Sequence, residues 1–106
     1  MAKYLFQAKY TSDGAKGLMK EGGSKRRDAA DQAIRSAGGK LDSMYFAFGD
    51  ADVVGIVDFP DHTSAVAMSG TINASGTTTI KLTPLITVEE VDNAAKKTTH
   101  YRPPGK

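Results

Sequence analysis

Cysteine is absent from the 106-residue chain. Its absence excludes a disulfide framework, a thiolate metal site and a cysteine nucleophile. No apolar run approaches the ~20 residues of a membrane-spanning helix, so no membrane partner is expected. The chain has only two histidines, His62 and His100. No third ligand stands at helical or short-loop spacing from either, so neither a metal nor any other cofactor is expected. The one basic cluster, Lys16, Lys20, Lys25, Arg26 and Arg27, contains no aromatic residue. Without stacking platforms among those charges, no nucleic acid is expected as a partner. Gly22-Gly23-Ser24-Lys25 lacks the spacing of a Walker phosphate loop and follows no strand directly. Internal repeats and an interdomain linker are also missing. Met1-Ala2-Lys3-Tyr4-Leu5 enters a strand at once and leaves no room for a signal peptide. A cytoplasmic, reduced setting is the expectation.

With 40% hydrophobic and 25% charged residues, the composition is that of one globular domain with one core. Charge is distributed unevenly. Residues 1–40 carry nine basic against four acidic side chains, residues 41–95 one (Lys81) against eight, and residues 96–106 four against none. Such asymmetry fits nucleic acid, two surfaces that attract each other between subunits, or simply solvated faces, and the last carries most weight.

The strongest local signal is Leu41–Phe59, two apolar β runs joined by the turn Gly49-Asp50-Ala51-Asp52. Alternation places Leu41, Ser43, Tyr45 and Ala47 opposite Asp42, Met44, Phe46 and Phe48. On the second strand Val53, Gly55, Val57 and Phe59 oppose Val54, Ile56 and Asp58. Both faces of this ribbon are largely apolar, so both need a cover. Before it, residues 2–10 alternate as a half-buried strand. A helical pattern then runs from Ala15 to Ala37, interrupted at Gly22-Gly23, with Ser24 expected to cap the second segment and Gly38-Gly39 to end it. After the hairpin, Asp61 or Thr63 caps a helix over Thr63–Ala74, and Thr77–Leu82 is an edge strand closed by Pro84. Thr87-Val88-Glu89-Glu90 is a capping box that opens a short last helix. The order β-α-β-β-α-β predicts an α+β, ferredoxin-like antiparallel sheet with both main helices on one face. Residues 1–97 form the domain, and residues 98–106 an extended tail.

Several segments together resemble the GYD domain family, small proteins named for a Gly-Tyr-Asp signature. They are Lys3-Tyr4-Leu5 with Tyr10-Thr11, Lys20–Arg27, Tyr45-Phe46-Ala47-Phe48-Gly49, Asp52-Val53-Val54, Asn73-Ala74-Ser75-Gly76, Thr83-Pro84-Leu85 and Tyr101-Arg102-Pro103-Pro104. At the signature itself the chain reads Gly49-Asp50-Ala51-Asp52, so the tyrosine position is Ala51. The resemblance implies a dimeric α/β-barrel-like assembly, an architecture that includes cofactor-free oxygenases and small-ligand binders. No reaction is attached to the family, so no catalytic residue follows from it.

Arg26 falls on the helical stripe of Ala30, Ala33 and Ala37. A guanidinium there needs an anion or carbonyls, or else snorkels past the sheet edge or pairs with an Asp. The expected function is a small homo-oligomeric binder of an anionic or aromatic molecule, self-associated through its open sheet face. Its ligand lies between sheet and helices among Tyr4, Phe6, Tyr10, Arg26, Tyr45 and Asp52. An oxygenase- or isomerase-like alternative needs a polar pair, Tyr45 or Tyr10 with Asp58, within hydrogen-bond reach. A third alternative is a purely structural assembly subunit. Since no metal-ligand pattern is present, a chelator such as EDTA should leave the melting temperature unchanged. A drop of several degrees would direct attention to Asp50, Asp52 and His62.

Overall fold

A computed structural model describes residues 1–106. The chain runs β1 (Ala2–Tyr10), α1 (Ser12–Glu21), α2 (Gly23–Ser36), β2 (Lys40–Phe46), β3 (Val53–Phe59), α3 (His62–Ala74), β4 (Thr78–Pro84) and α4 (Val88–Ala95). The four strands form one antiparallel sheet in the order β2-β3-β1-β4. This is the ferredoxin-like arrangement, with β1 and β3 inside and β2 and β4 at the edges.

Alternation sets the core. Tyr4, Phe6 and Ala8 of β1 point to the same side as Val53, Val57 and Phe59 of β3 and Ile80 of β4, and all are buried. Ile34 of α2 and Ala65 and Met68 of α3 close over them. The Tyr4 and Phe59 rings meet edge-on with centroids 5.8 Å apart, a favoured aromatic geometry. Phe59, Val53 and Val57 are completely enclosed, and each contributes roughly 1.5–3 kcal/mol by leaving water.

The helix boundaries follow local chemistry. Thr11 caps α1, its hydroxyl accepting from the Gly14 N–H. Gly22 sits at φ 86°, ending α1 and starting α2, so the α1–α2 break falls where two glycines were expected to cause one. Ser24 is not the cap. It is the second residue of α2, because the positive-φ turn at Gly22, two residues earlier, already starts the helix. Asp61 caps α3 by accepting from the Ser64 N–H at 2.7 Å. That N–H, helped by the Ser64 hydroxyl, holds the Asp61 carboxyl below its ordinary range. The cap's contribution is therefore complete above the ordinary carboxylate pKa and fades as pH falls through the lowered value. Thr87 and Glu90 form the expected capping box on α4.

One feature of β2 departs from simple alternation. The register jumps at Asp42, so Leu41 pairs with Val57 while Ser43 pairs with Ile56. This β-bulge puts Leu41 on the helix-covered side with Met44, and Ser43 and Tyr45 on the other. A strict two-residue period would keep Leu41 with Ser43 and Tyr45. Phe48, expected at the end of β2, lies beyond it in the 47–52 connection and is fully exposed.

The edge strand β4 is shielded by α3. Asn73 Oδ1 accepts from the Ile80 N–H at 2.7 Å, and its amide donates to the Ile80 carbonyl at 3.3 Å. One side chain thus satisfies both outward backbone groups of an edge residue. Under the helices, Gly55 faces Phe6 across the sheet, and a Cβ on it would stand 2.5 Å from the Phe6 ring. Gly55→Ala should lower stability by about 1–3 kcal/mol through overpacking. Gly70→Ala, on an open part of α3, should raise it by about 0.5–1 kcal/mol. Chemical denaturation of the two variants reads both signs, and equal effects would contradict the packing described.

Candidate functional site

A cavity of about 280 Å³ lies between the sheet and α2 and α3. Its base is core: Phe6, Ala8, Val53 and Ile80. Its roof is α2, which presents Ala29, Ala30 and Ala33. Three alanines in the place of larger apolar residues explain the space, since leucines at those positions would fill it. Ile72 and Ser75 of α3 and Thr77 and Thr78 at the start of β4 form one wall.

The polar groups are unevenly divided. The Ser75 hydroxyl donates to the Ile72 carbonyl at 2.7 Å, and the Thr71 hydroxyl to the Ala67 carbonyl at 2.8 Å. Those donors are spent on their own helix. Arg26 is different. Its Nη1 lies 3.7 Å from Glu21 Oε2, an ion pair without hydrogen-bond contact, and its side chain is one-third exposed. The guanidinium thus stands at the cavity mouth with donors to offer, and Tyr10 borders the same space. The acid beside Arg26 is Glu21, not the Asp that was expected. That partner is half-exposed, so the pair contributes only about 0–1 kcal/mol to stability.

The structure divides the remaining sequence-derived candidates among four places. Phe6, Tyr10 and Arg26 meet in the cavity. Tyr4 does not reach it; its ring is core, and its hydroxyl shares a hydrogen bond with His62 Nδ1 at the start of α3. Asp52 sits beside Tyr10, lining a neighbouring depression with Leu18, Met19 and Phe46 that contains no buried residue. Its carboxylate accepts from the Tyr10 N–H at 2.8 Å, and its own N–H donates to the Ala8 carbonyl at 2.8 Å. Asp52 therefore extends the β1–β3 ladder one residue before the start of β3, which fixes the Tyr10 backbone.

Tyr45 and Asp58 lie on the opposite, uncovered side of the sheet. Tyr45 pairs with Val54, and Asp58 stands four residues further along β3, about 13 Å away at 3.3 Å per residue. Asp58 holds Lys3 Nζ at 3.1 Å, with Asp42 at 3.2 Å from the same atom. Asp58 first, then Asp42, raises the Lys3 pKa above its ordinary value. This pairing is complete below the ordinary lysine pKa and is lost as pH rises through the raised one. Tyr10 and Asp58 occupy opposite faces, so neither tyrosine forms the polar pair that an oxygenase or isomerase was expected to need.

Beyond Phe6, Tyr10 and Arg26, none of the cavity's lining residues was an expected site residue, Ala8 and Val53 of its base and Thr71, Ile72 and Ser75 of α3 among them. Ala30 and Ala33 were visible as a stripe, and their smallness was the available signal of a gap. No three of the chain's histidine and acidic side chains converge on one point, and no helix is long and apolar enough to cross a membrane.

The sequence model of the GYD domain family matches residues 4–95. The chain belongs to the GYD domain family. Comparison with curated proteins gives no match, and comparison with solved structures gives none either. The family match covers β1 from Tyr4 onward, the other three strands and all four helices. In this GYD domain the signature tyrosine position, Ala51, is half-buried beside Lys9 and Lys81 on the uncovered side, away from the cavity.

Because Asp52 works as an acceptor for a backbone N–H, Asp52→Asn should retain most of the stability. Asp52→Ala should lose about 1–2 kcal/mol by stranding the Tyr10 N–H. Urea denaturation separates the two, and equal losses would mean that the carboxylate acts through its charge instead.

Proposed function

We propose that this GYD domain binds a small amphipathic anion, its apolar body between sheet and helices and its acidic group at Arg26. The observation that carries the reading is the cavity itself: an apolar chamber of about 280 Å³ with one cation at its mouth. A chamber of ~150 Å³ already admits a benzene-sized ring, so this one suits a ligand of one or two fused rings. Binding draws Arg26 from Glu21 to a stronger anion, because a carboxylate in direct hydrogen-bond contact outcompetes an acid at 3.7 Å. The donors of Thr71 and Ser75 are already used, so those groups favour ligand donors over ligand acceptors on the α3 side. The reading also includes self-association through the uncovered sheet face, in a reduced, cytoplasmic setting that suits a chain without cysteine.

Isothermal titration with 2-naphthoate as probe and its carboxamide as neutral control tests the site. The acid should bind at least about tenfold tighter than the amide, a difference of about 1.4 kcal/mol. Arg26→Gln should erase that preference while leaving the melting temperature nearly unchanged. Ala30→Leu should abolish binding of both by filling the chamber, with stability equal or higher. Binding that is indifferent to Ala30→Leu would contradict the proposed site.

A further inference from the structure

The last quarter of the chain has no cover and no core. Every residue from Thr83 to Lys106 is exposed, including Ile86, Val88 and Val91. The last backbone tie to the sheet is the Leu85 N–H to the Lys3 carbonyl, at 2.9 Å. Beyond it the chain projects. The radius of gyration is 17.1 Å and the molecule extends 56 Å in its longest direction, whereas a compact chain of this length has a radius of about 13 Å. Yet α4 is well made, with a complete capping box and apolar residues at Val88, Val91 and Ala95, a spacing that forms one stripe. An amphipathic helix of eight residues is not stable through propensity alone; it needs a surface against its apolar side.

The uncovered face of the sheet offers one. Leu5, Val54 and Ile56 lie there in register, with Tyr45 beside Val54. This patch spans three strands and about two residues of strand length, roughly 10 by 7 Å. Helix α4 is about 12 Å long and 10 Å wide. Charge fixes the direction. At one end of the patch Lys3 is consumed by Asp42 and Asp58. At the other, Lys9 and Lys81 form no ion pair within the chain; they line a depression with Gln7, Thr79 and one acid, Asp50, whose carbonyl accepts from Lys9 Nζ at 3.3 Å, so two cations there outnumber one carboxylate. On α4, Glu90 is held in the capping box, which leaves Glu89 and Asp92 free to meet cations.

We infer that α4 of each copy lies across the uncovered sheet face of a second copy, Val88 and Val91 on Leu5, Val54 and Ile56, with Glu89 and Asp92 towards Lys9 and Lys81. Reciprocal exchange of the two arms makes a closed two-fold dimer, in which each copy gives and receives one helix. The inference rests on the self-association included in the proposed function and specifies the element that produces it.

The lack of cysteine makes the test clean. One chain carries Val91→Cys and a second, differently tagged chain carries Ile56→Cys; the two are mixed and oxidised. Exchange gives a disulfide-linked heterodimer. A single chain carrying both substitutions should likewise give covalent dimers; compact intrachain-linked monomers would show the arm folding back on its own sheet and would overturn the inference. Sedimentation velocity of the uncrosslinked protein separates the two layers of the argument. A wild-type monomer of 11.2 kDa overturns both self-association and the arm. A wild-type dimer that persists unweakened in Val88→Glu/Val91→Glu leaves self-association standing and overturns the arm. The expected result is a wild-type dimer whose dissociation constant rises at least about tenfold in that variant, and also in Glu89→Lys/Asp92→Lys. Lys9→Glu/Lys81→Glu should restore the second variant, an effect that loss of helix stability would not produce.

Discussion

Strand β1 is hydrogen-bonded on both sides, to β3 and to β4, over nearly its whole length. Its alternation therefore decides which way the entire sheet faces. Tyr4, Phe6 and Ala8 turn one side into the floor of a core, and Lys3, Leu5, Gln7 and Lys9 face the other way. Once β1 is placed, the register of β3 sets Val53, Val57 and Phe59 alongside, and α2 and α3 have one surface to cover. A one-residue slip would turn Lys9 inward and Phe6 outward, so the register is strongly specified. The cavity, the edge protection by Asn73 and the exposed second face all follow from that single choice.

The two faces are treated differently by the sequence. On the covered face, large residues come from the sheet and small ones from α2. Phe6, Val53 and Ile80 press upward, while Ala29, Ala30 and Ala33 fail to fill the space above them. Stability is given up there, because unfilled space forfeits dispersion contacts. On the uncovered face, half-buried Leu5, Val54 and Ile56, with exposed Tyr45, form a small apolar patch with no helix above it. Neither α2 nor α3 reaches them, because both helices lie on the opposite side of the sheet.

The element order, the edge position of β4, the break at Gly22-Gly23 and the capping box of α4 were legible because each rests on local chemistry: period, glycine freedom, cap oxygens. The bulge at Asp42 was not, since an extra residue in one strand is visible only against its partner. Leu41 was assigned to the wrong face for that reason. Arg26 was found because a charge on an alanine stripe is anomalous at the level of sequence. Tyr45 and Asp58 were drawn into the same site because they are chemically versatile, and only the sheet pairing shows that they face away from it. Tyr4 was on the correct face, but the distance along β1 that separates it from the chamber required α3 and His62 to be in place.

The most direct test of the account is native mass spectrometry of the purified protein under gentle ionisation. The account predicts an even multiple of the 11.2 kDa chain carrying one non-covalent small molecule per copy, released on collisional activation while the assembly survives. A bare single chain, with no retained molecule at any activation energy, would contradict both the binding chamber and the covered second face.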